Sequence, residues 1–291
     1  MDINYELYKV FYHVANTLSF SEASKQLFIS QSAVSQSIKV LEKKLNQPLF
    51  IRSTKRVQLT PEGEILLKHI EPAMNLIKQG ENQLLEANTL NGGQLRIGAS
   101  DTICRYYLIP YLKEFHRKYP NVHIKVTNQT SIACAKLLES GQVDFAITNY
   151  PNSGLSNTQN VRIIHEFHDV FAANDEYGSL RGKTVTLKEL QTCPILMLDR
   201  KSTTSEFLHS MFQRHQLDLV PEIELSSNEL LIDLARIELG IAFVPDYCIP
   251  ENDPDLFIVH LEEQLPARQM VVAYNESLPV SQAAKQFMDM L

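Results

Sequence analysis

Residues 19–59 constrain the fold of this 291-residue chain more than any other stretch. Two short helical patterns, a tight turn and a basic hairpin follow one another there. This is the layout of a winged helix-turn-helix, which sets one helix in the major groove of DNA. The stretch holds seven Lys/Arg against two Glu, while the whole chain carries a net charge of −7. A positive island on an acidic protein is the electrostatic footprint of a nucleic-acid contact.

The local code is consistent with that layout. Leu7, Val10, Phe11, Val14 and Leu18 recur at three- and four-residue steps, predicting a first helix over 4–17 with one apolar face. Ser19 with Glu22 reads as a capping box that starts a second helix, whose Ala23 and Leu27 face the same core. Ser30 caps a third helix beginning at Gln31.

On that third helix Val34, Ile38, Leu41 and Leu45 fall within about 40° of one another at ~100° per residue. Ser32, Gln36, Lys39 and Lys43 lie opposite, with Ser35 at the edge. Gln pairs bidentately with adenine, Ser bonds either base edge and Lys meets phosphate. Gln31, Ser32, Ser35 and Gln36 are therefore the candidate base readers. Lys39, and Arg52, Lys55 and Arg56 of the hairpin, are the candidate backbone or minor-groove contacts.

Five runs carry a family resemblance: Ala23-Ser24-Lys25-Gln26-Leu27, Ser30-Gln31-Ser32-Ala33-Val34-Ser35, Ile38-Lys39-Val40-Leu41-Glu42, Pro48-Leu49-Phe50-Ile51-Arg52 and Leu59-Thr60-Pro61-Glu62-Gly63. In these the chain resembles the LysR-type transcriptional regulators, and its length and downstream layout fit them too. Ser32 stands where that family often has Pro, and Gln36 where it often has Arg.

Thr60-Pro61-Glu62 is a strong helix start, with Thr as cap and Pro in the first turn. Leu67, Ile70, Met74, Ile77 and Leu84 then follow a three–four spacing, interrupted at Glu81, as a heptad seam does. A helix over 60–88 would span roughly 40 Å at 1.5 Å per residue, too long for a ninety-residue domain to bury, so a second copy of the chain is the expected partner. Pro72 should kink it, and Asn91-Gly92-Gly93 should end it as a hinge.

From Gln94 the pattern becomes strand–helix alternation, predicting an α/β domain of parallel strands. Strands are expected at 94–99, 122–128, 145–148, 161–172, 194–198, 221–225, 241–244 and 270–274. Helices are expected at 103–118, 132–140, 205–216 and 228–238, after Thr186 and from Ser281. Ligands of open α/β sheets bind beyond the C-terminal strand ends. Those ends carry Ser100-Asp101-Thr102, Gln129-Thr130-Ser131, Thr148-Asn149, Ser202-Thr203-Thr204, Ser226-Ser227 and Pro245. Asp101 adds a negative charge that leaves room for an amine-bearing ligand.

The family resemblance implies the whole architecture. It gives an all-α-type winged helix-turn-helix domain (1–59), a dimerising linker helix (60–90) and an effector domain of periplasmic-binding-protein type (91–291). In the last, one subdomain takes in about 91–163 and 268–291, and the other about 164–267. It implies an effector cleft between them, with Ser100, Thr102, Thr130, Ser202 and Thr203 facing a small-molecule co-inducer. It further implies a homodimer that assembles as a dimer of dimers, a homotetramer.

Other readings are weaker. The N-terminus lacks the pattern of a signal peptide and no run of ~18 apolar residues exists, so a cytoplasmic protein outside the membrane is expected, and an exported solute-binding protein is disfavoured. The four cysteines are far apart and form no Cys-x-x-Cys, so no metal is expected; a redox regulator using Cys104 and Cys134 is the rival within the same fold. His165 and His168 fall on opposite faces of an extended segment and read as structural. No phosphate loop or nucleophile motif supports an enzyme.

Overall fold

The computed structural model describes residues 3–52, 56–87, 93–156, 159–250, 253–275 and 279–291. The chain separates into an N-terminal and a C-terminal unit near residue 88.

The N-terminal unit opens with α1 (Tyr5–Thr17), α2 (Phe20–Leu27) and α3 (Gln31–Leu45). Asn4, Ser19 and Ser30 each cap one of these, accepting from the backbone N–H of Glu6, Glu22 and Ala33. Only half of the expected capping box forms at α2, because Glu22 turns to Lys25 instead, at 3.3 Å. Leu18 leaves the apolar face: it ends α1 in the left-handed region and is exposed. Phe11, Val14, Ala23, Val34, Ile38 and Leu41 close the core, each large side chain contributing roughly 1.5–3 kcal/mol by burial.

The wing is β1 (Phe50–Arg52) paired antiparallel with β2 (Val57–Leu59). Glu42 of α3 fixes its first strand, accepting from Leu49 N (2.9 Å) and Phe50 N (3.3 Å). Then α4 (Pro61–Ala87) begins, with Thr60 Oγ1 accepting from Gly63 N and donating to Pro48 O. A Cβ on Gly63 would lie 2.2 Å from Leu49 O, so this close approach of helix to wing requires glycine.

Helix α4 runs unbroken through Pro72. The seam splits in its use. Leu67 and Ile70 pack on the core of their own unit, whereas Ile77 is 58% and Leu84 72% exposed. Residues Asn91 and Gly92 of the expected hinge lie outside the described residues, and Gly93 already belongs to the next strand.

The C-terminal unit holds two sheets. The chain runs β3 (Gly93–Ala99), α5 (Asp101–Ile103), a π-helical turn Cys104–Leu108, α6 (Ile109–Lys118), β4 (Val122–Asn128), α7 (Ser131–Glu139), β5 (Phe145–Tyr150) and β6 (Asn160–Phe167). It continues through β7 (Asp169–Ala173), β8 (Thr184–Val185), α8 (Leu187–Leu190), β9 (Ile195–Leu198), α9 (Thr203–Arg214), β10 (Ile223–Leu225), α10 (Asn228–Arg236), β11 (Ile241–Pro245) and β12 (Phe257–Leu261). It closes with β13 (Arg268–Tyr274) and α11 (Gln282–Met288).

The first sheet has the order β4-β3-β5-β13-β6 and the second β10-β9-β11-β7-β12-β8. The expectation of parallel strands holds only in part. The β3–β4, β3–β5, β9–β10, β9–β11 and β8–β12 pairs are parallel. The β5–β13, β6–β13, β7–β11 and β7–β12 pairs are antiparallel. The antiparallel strands are those that carry the chain from one sheet to the other and back, so they enter against the prevailing direction.

The segment expected as one strand over 161–172 is two strands in different sheets. The change falls at His168, a few residues beyond the expected 163/164 boundary. His168 is pinned there by Asp246, whose carboxylate accepts its N–H at 3.1 Å and whose N–H donates to its carbonyl at 2.8 Å. Aromatic cores fill each side: Phe115, Phe145 and Phe287 on the first sheet, Phe171, Phe212 and Phe243 on the second. No described helix is long and apolar enough to cross a membrane.

Candidate functional site

The first candidate surface is the outer face of α3. Val34, Ile38 and Leu41 are fully buried, so the opposite face is held outward by the core itself. Gln31, Ser32, Gln36 and Lys39 are exposed and Ser35 is half-buried at the edge. Ser32 Oγ also meets the cap Ser30 Oγ at 2.9 Å, tying the first turn to the α2–α3 turn. Arg52 ends β1 opposite Val57, Arg56 is exposed just before β2, and Lys55 lies outside the described residues. The face thus offers neutral donors and acceptors at its start and cations farther along and on the wing.

The second candidate is a cleft of about 270 Å3 in the C-terminal unit. Strand ends and helix starts from both sheets converge on it. Ser100, Asp101 and Thr102 come from the β3–α5 junction, Thr130 and Ser131 from the start of α7, and Ser202 and Thr203 from the start of α9. Twelve of the fourteen strand-end residues named from the sequence line it.

Thr148 is one of the two exceptions. It is fully buried in β5 and does not line the cleft; its neighbour Asn149 does. Successive strand residues point to opposite faces, and the strand runs on to Tyr150, two residues past its expected end. Pro245 at the end of β11 is likewise absent from the lining.

The hydroxyls have defined local partners. Ser100, Thr130 and Ser202 Oγ atoms accept from Ile103 N, Ala133 N and Ser205 N as helix caps. Ser202 also donates to Asp199 O at 3.0 Å. Ser131 Oγ accepts from Asn149 N. Across the cleft, Asn228 Nδ2 donates to Thr102 Oγ1 at 2.9 Å and joins the two sheets' helices directly.

Behind Thr203 lies an element that hydropathy reading did not single out. Arg268, the first residue of β13, donates to Asp169 Oδ2 at 2.7 Å, Thr204 Oγ1 at 3.1 Å and Thr203 Oγ1 at 3.0 Å. Its guanidinium sits 5.4 Å from the Phe167 ring centroid and 5.1 Å from that of Phe207. The side chains of Arg268 and Asp169 are 1% and 0% exposed. Burial drives the Asp169 carboxyl upward and Arg268 opposes it. The pair stands where the chain passes between sheets, and Thr203 joins it to the cleft wall. Asp199, Asn228 and Glu229 also line the cleft. Their signal in the sequence was position alone: Asp199 directly follows β9, and Asn228 and Glu229 open α10.

The remaining candidates fall elsewhere. His165 lies tilted against Tyr107 and edge-on to Tyr247, with centroids 5.7 and 6.2 Å away, and His168 sits 3.9 Å from Asp246. Cys104 and Cys134 are free thiols at the cleft side of the first sheet, bonded to Asn128 Oδ1 and Gln129 O.

Comparison with known proteins assigns both units. Residues 5–64 match the bacterial regulatory helix-turn-helix protein family of lysR type, and residues 88–291 match the LysR substrate binding domain. A probable RuBisCO transcriptional regulator of Trichormus variabilis is 28% identical over 277 residues, covering 92% of this chain and 82% of its own length. A full-length OxyR variant from Pseudomonas aeruginosa shares the fold at a TM-score of 0.72 and 17% identity, covering 99% of this chain and 94% of its own. The CcmR regulatory domain of Synechocystis PCC6803, solved in complex with 2-PG, superposes at a TM-score of 0.62 and 22% identity, covering 68% of this chain and 95% of its own.

Proposed function

The chain belongs to the LysR family of DNA-binding transcriptional regulators with small-molecule effector domains, and we propose how its own residues divide that work. Gln31, Ser32, Ser35 and Gln36 read base edges in the major groove, and Lys39, Arg52, Lys55 and Arg56 neutralise phosphates. The observation that carries this reading is the two-faced α3: three fully buried side chains fix the helix, and exposed Gln31, Gln36 and Lys39 project from its other side.

Lys39→Ala and Arg56→Ala should each weaken binding to every duplex alike. Each should also reduce the slope of log affinity against log salt by about 0.9 for every phosphate no longer neutralised. A titration from low to high salt reads both effects. An unchanged slope in both variants would remove the phosphate assignment.

The effector occupies the cleft between the two sheets, with Ser100, Asp101, Thr102, Thr130, Ser131, Ser202 and Thr203 around it. A ligand there contacts both subdomains at once, so it binds one relative arrangement better than another and shifts the population. The CcmR domain solved with 2-PG is a regulator of the same fold seen with a small molecule. The exposed Ile77 and Leu84 of α4 form the surface for a second copy, and the dimer presents two α3 helices to paired half-sites. The relatives are regulators of transcription, and no catalytic step or resident cofactor is assigned.

The redox alternative meets a physical obstacle. Burial pushes the Cys104 thiol up to about 11, with Asp101 adding to the rise, and the Cys134 thiol up to about 12. The reactive form is the thiolate, so both are held in the inert state near neutral pH. Alkylation of the folded protein by iodoacetamide should be far slower at these two positions than for a free thiol of pKa ~8.5, and should still rise about tenfold per unit near pH 10. Peptide mass spectrometry after timed labelling measures it. Fast labelling of Cys104 or Cys134 near neutral pH would restore the redox reading.

A further inference from the structure

Taking the cleft as the effector site, we propose that its ligand is a small molecule bearing a protonated amine, of the amino-acid class. The amine would be held by Asp101, Asp199 and Glu229.

The charge of the cleft carries the argument. Those three carboxylates line it, and no Lys, Arg or His is among its described lining residues. Arg105 reaches Glu229 from outside at 3.4 Å, on a largely exposed side chain. The other two carboxylates meet neutral donors: Asn128 Nδ2 at 3.2 Å for Asp101 and Lys201 N at 3.0 Å for Asp199. These bonds orient the acids and leave their charge in place. A phosphorylated or dicarboxylic ligand would bring like charge into this space; an ammonium brings the opposite one.

A second observation points the same way. Asn149 and Asn228 line the cleft and are 7% and 4% exposed, and the Oδ1 atom of each lies beneath the surface without a hydrogen-bond donor. A buried acceptor left unpaired keeps its negative partial charge uncompensated, which a cation in the cleft offsets without touching it.

The ligand also needs acceptors. Thr102 Oγ1 accepts from Asn228 and Thr203 Oγ1 from Arg268, so each hydroxyl keeps its hydrogen to donate. The starts of α7, α9 and α10 favour negative charge. A carboxylate on the same ligand suits both. The volume of about 270 Å3 sits near the lower end of small-molecule pockets, which suits a ligand of amino-acid size.

The test is a melting screen of the full chain with the standard L-amino acids and putrescine, set against pyruvate, malate and inorganic phosphate. At least one amine-bearing probe should raise the unfolding temperature of the C-terminal unit, and the amine-free anions should not. Isothermal titration of that probe should show at least tenfold weaker binding to the Asp101→Asn/Asp199→Asn double variant, whose ligand-free melting is measured alongside. Stabilisation by the anions alone would overturn the amine class. If Thr102→Ala or Thr203→Ala weakened that anion binding, the cleft would stand as the effector site with a different ligand. Binding of an amine probe that is indifferent to both the carboxylate and the threonine variants would move the site itself. A screen in which no amine-bearing probe stabilises the protein overturns the proposal.

Discussion

Asp169→Ala in the full chain should destabilise the C-terminal unit by about 3–5 kcal/mol, because it leaves the Arg268 guanidinium buried without its counter-charge. For a unit of this size that is a fall in melting temperature of roughly 2–4 °C per kcal/mol. Arg268→Ala should cost as much, since it also strips donors from Thr203 and Thr204 and a cation from between Phe167 and Phe207. Replacing both, as Asp169→Leu with Arg268→Met, should recover much of the loss, because a buried ion pair exchanged for apolar packing is often nearly neutral. Calorimetry of the four proteins closes the cycle. Single variants within ~1 kcal/mol of the parent would show that the pair does not hold the junction of the sheets.

Ile77→Asp should dissociate the protein and lower its affinity for paired half-sites. A carboxylate on this helix face is harmless in water and costly when desolvated against a second apolar helix. Ile77 is more than half exposed in the single chain, so folding of the N-terminal unit should be untouched. Leu67→Asp is the contrasting variant: Leu67 packs, partly buried, against the core cluster of the N-terminal unit, and a carboxylate there should destabilise the unit itself. Sedimentation and far-UV circular dichroism of both variants separate the two effects. An Ile77→Asp protein of unchanged mass would remove the seam from the account.

The N-terminal unit was legible because its signals are local. Caps at Ser19 and Ser30, the spacing of Val34, Ile38 and Leu41, and the Thr60-Pro61 start each act within one turn of helix. What escaped there also has a physical reason. Phe28 takes the left-handed conformation in the α2–α3 turn at φ 55, a role nothing in its side chain announces. Glu42 looked like one more polar helix residue, yet its carboxylate holds two wing N–H groups seven and eight residues away.

The C-terminal unit was harder because its order is set by long-range pairing. Strand β12 was not expected, although Phe257-Ile258-Val259-His260-Leu261 has the composition of one, and only its pairing with β7 and β8 makes it part of the second sheet. The antiparallel return through β13 cannot be read from alternation of strands and helices. The cleft was found through strand ends and helix caps, which are visible in sequence. Asn228 and Arg268 were missed because their importance arises from partners up to 126 residues away.

The central claim is that α3 reads sequence while the wing and Lys39 supply general affinity. Its most direct test uses a duplex enriched by wild-type protein from a random library, and a scrambled duplex of equal length and composition. Fluorescence anisotropy of wild-type and Gln36→Ala protein on both, at one salt concentration, gives four affinities. The variant should lose about 1–3 kcal/mol on the enriched duplex and keep its affinity for the scrambled one. Equal losses on both duplexes, or a wild type that does not prefer the enriched one, would contradict the account.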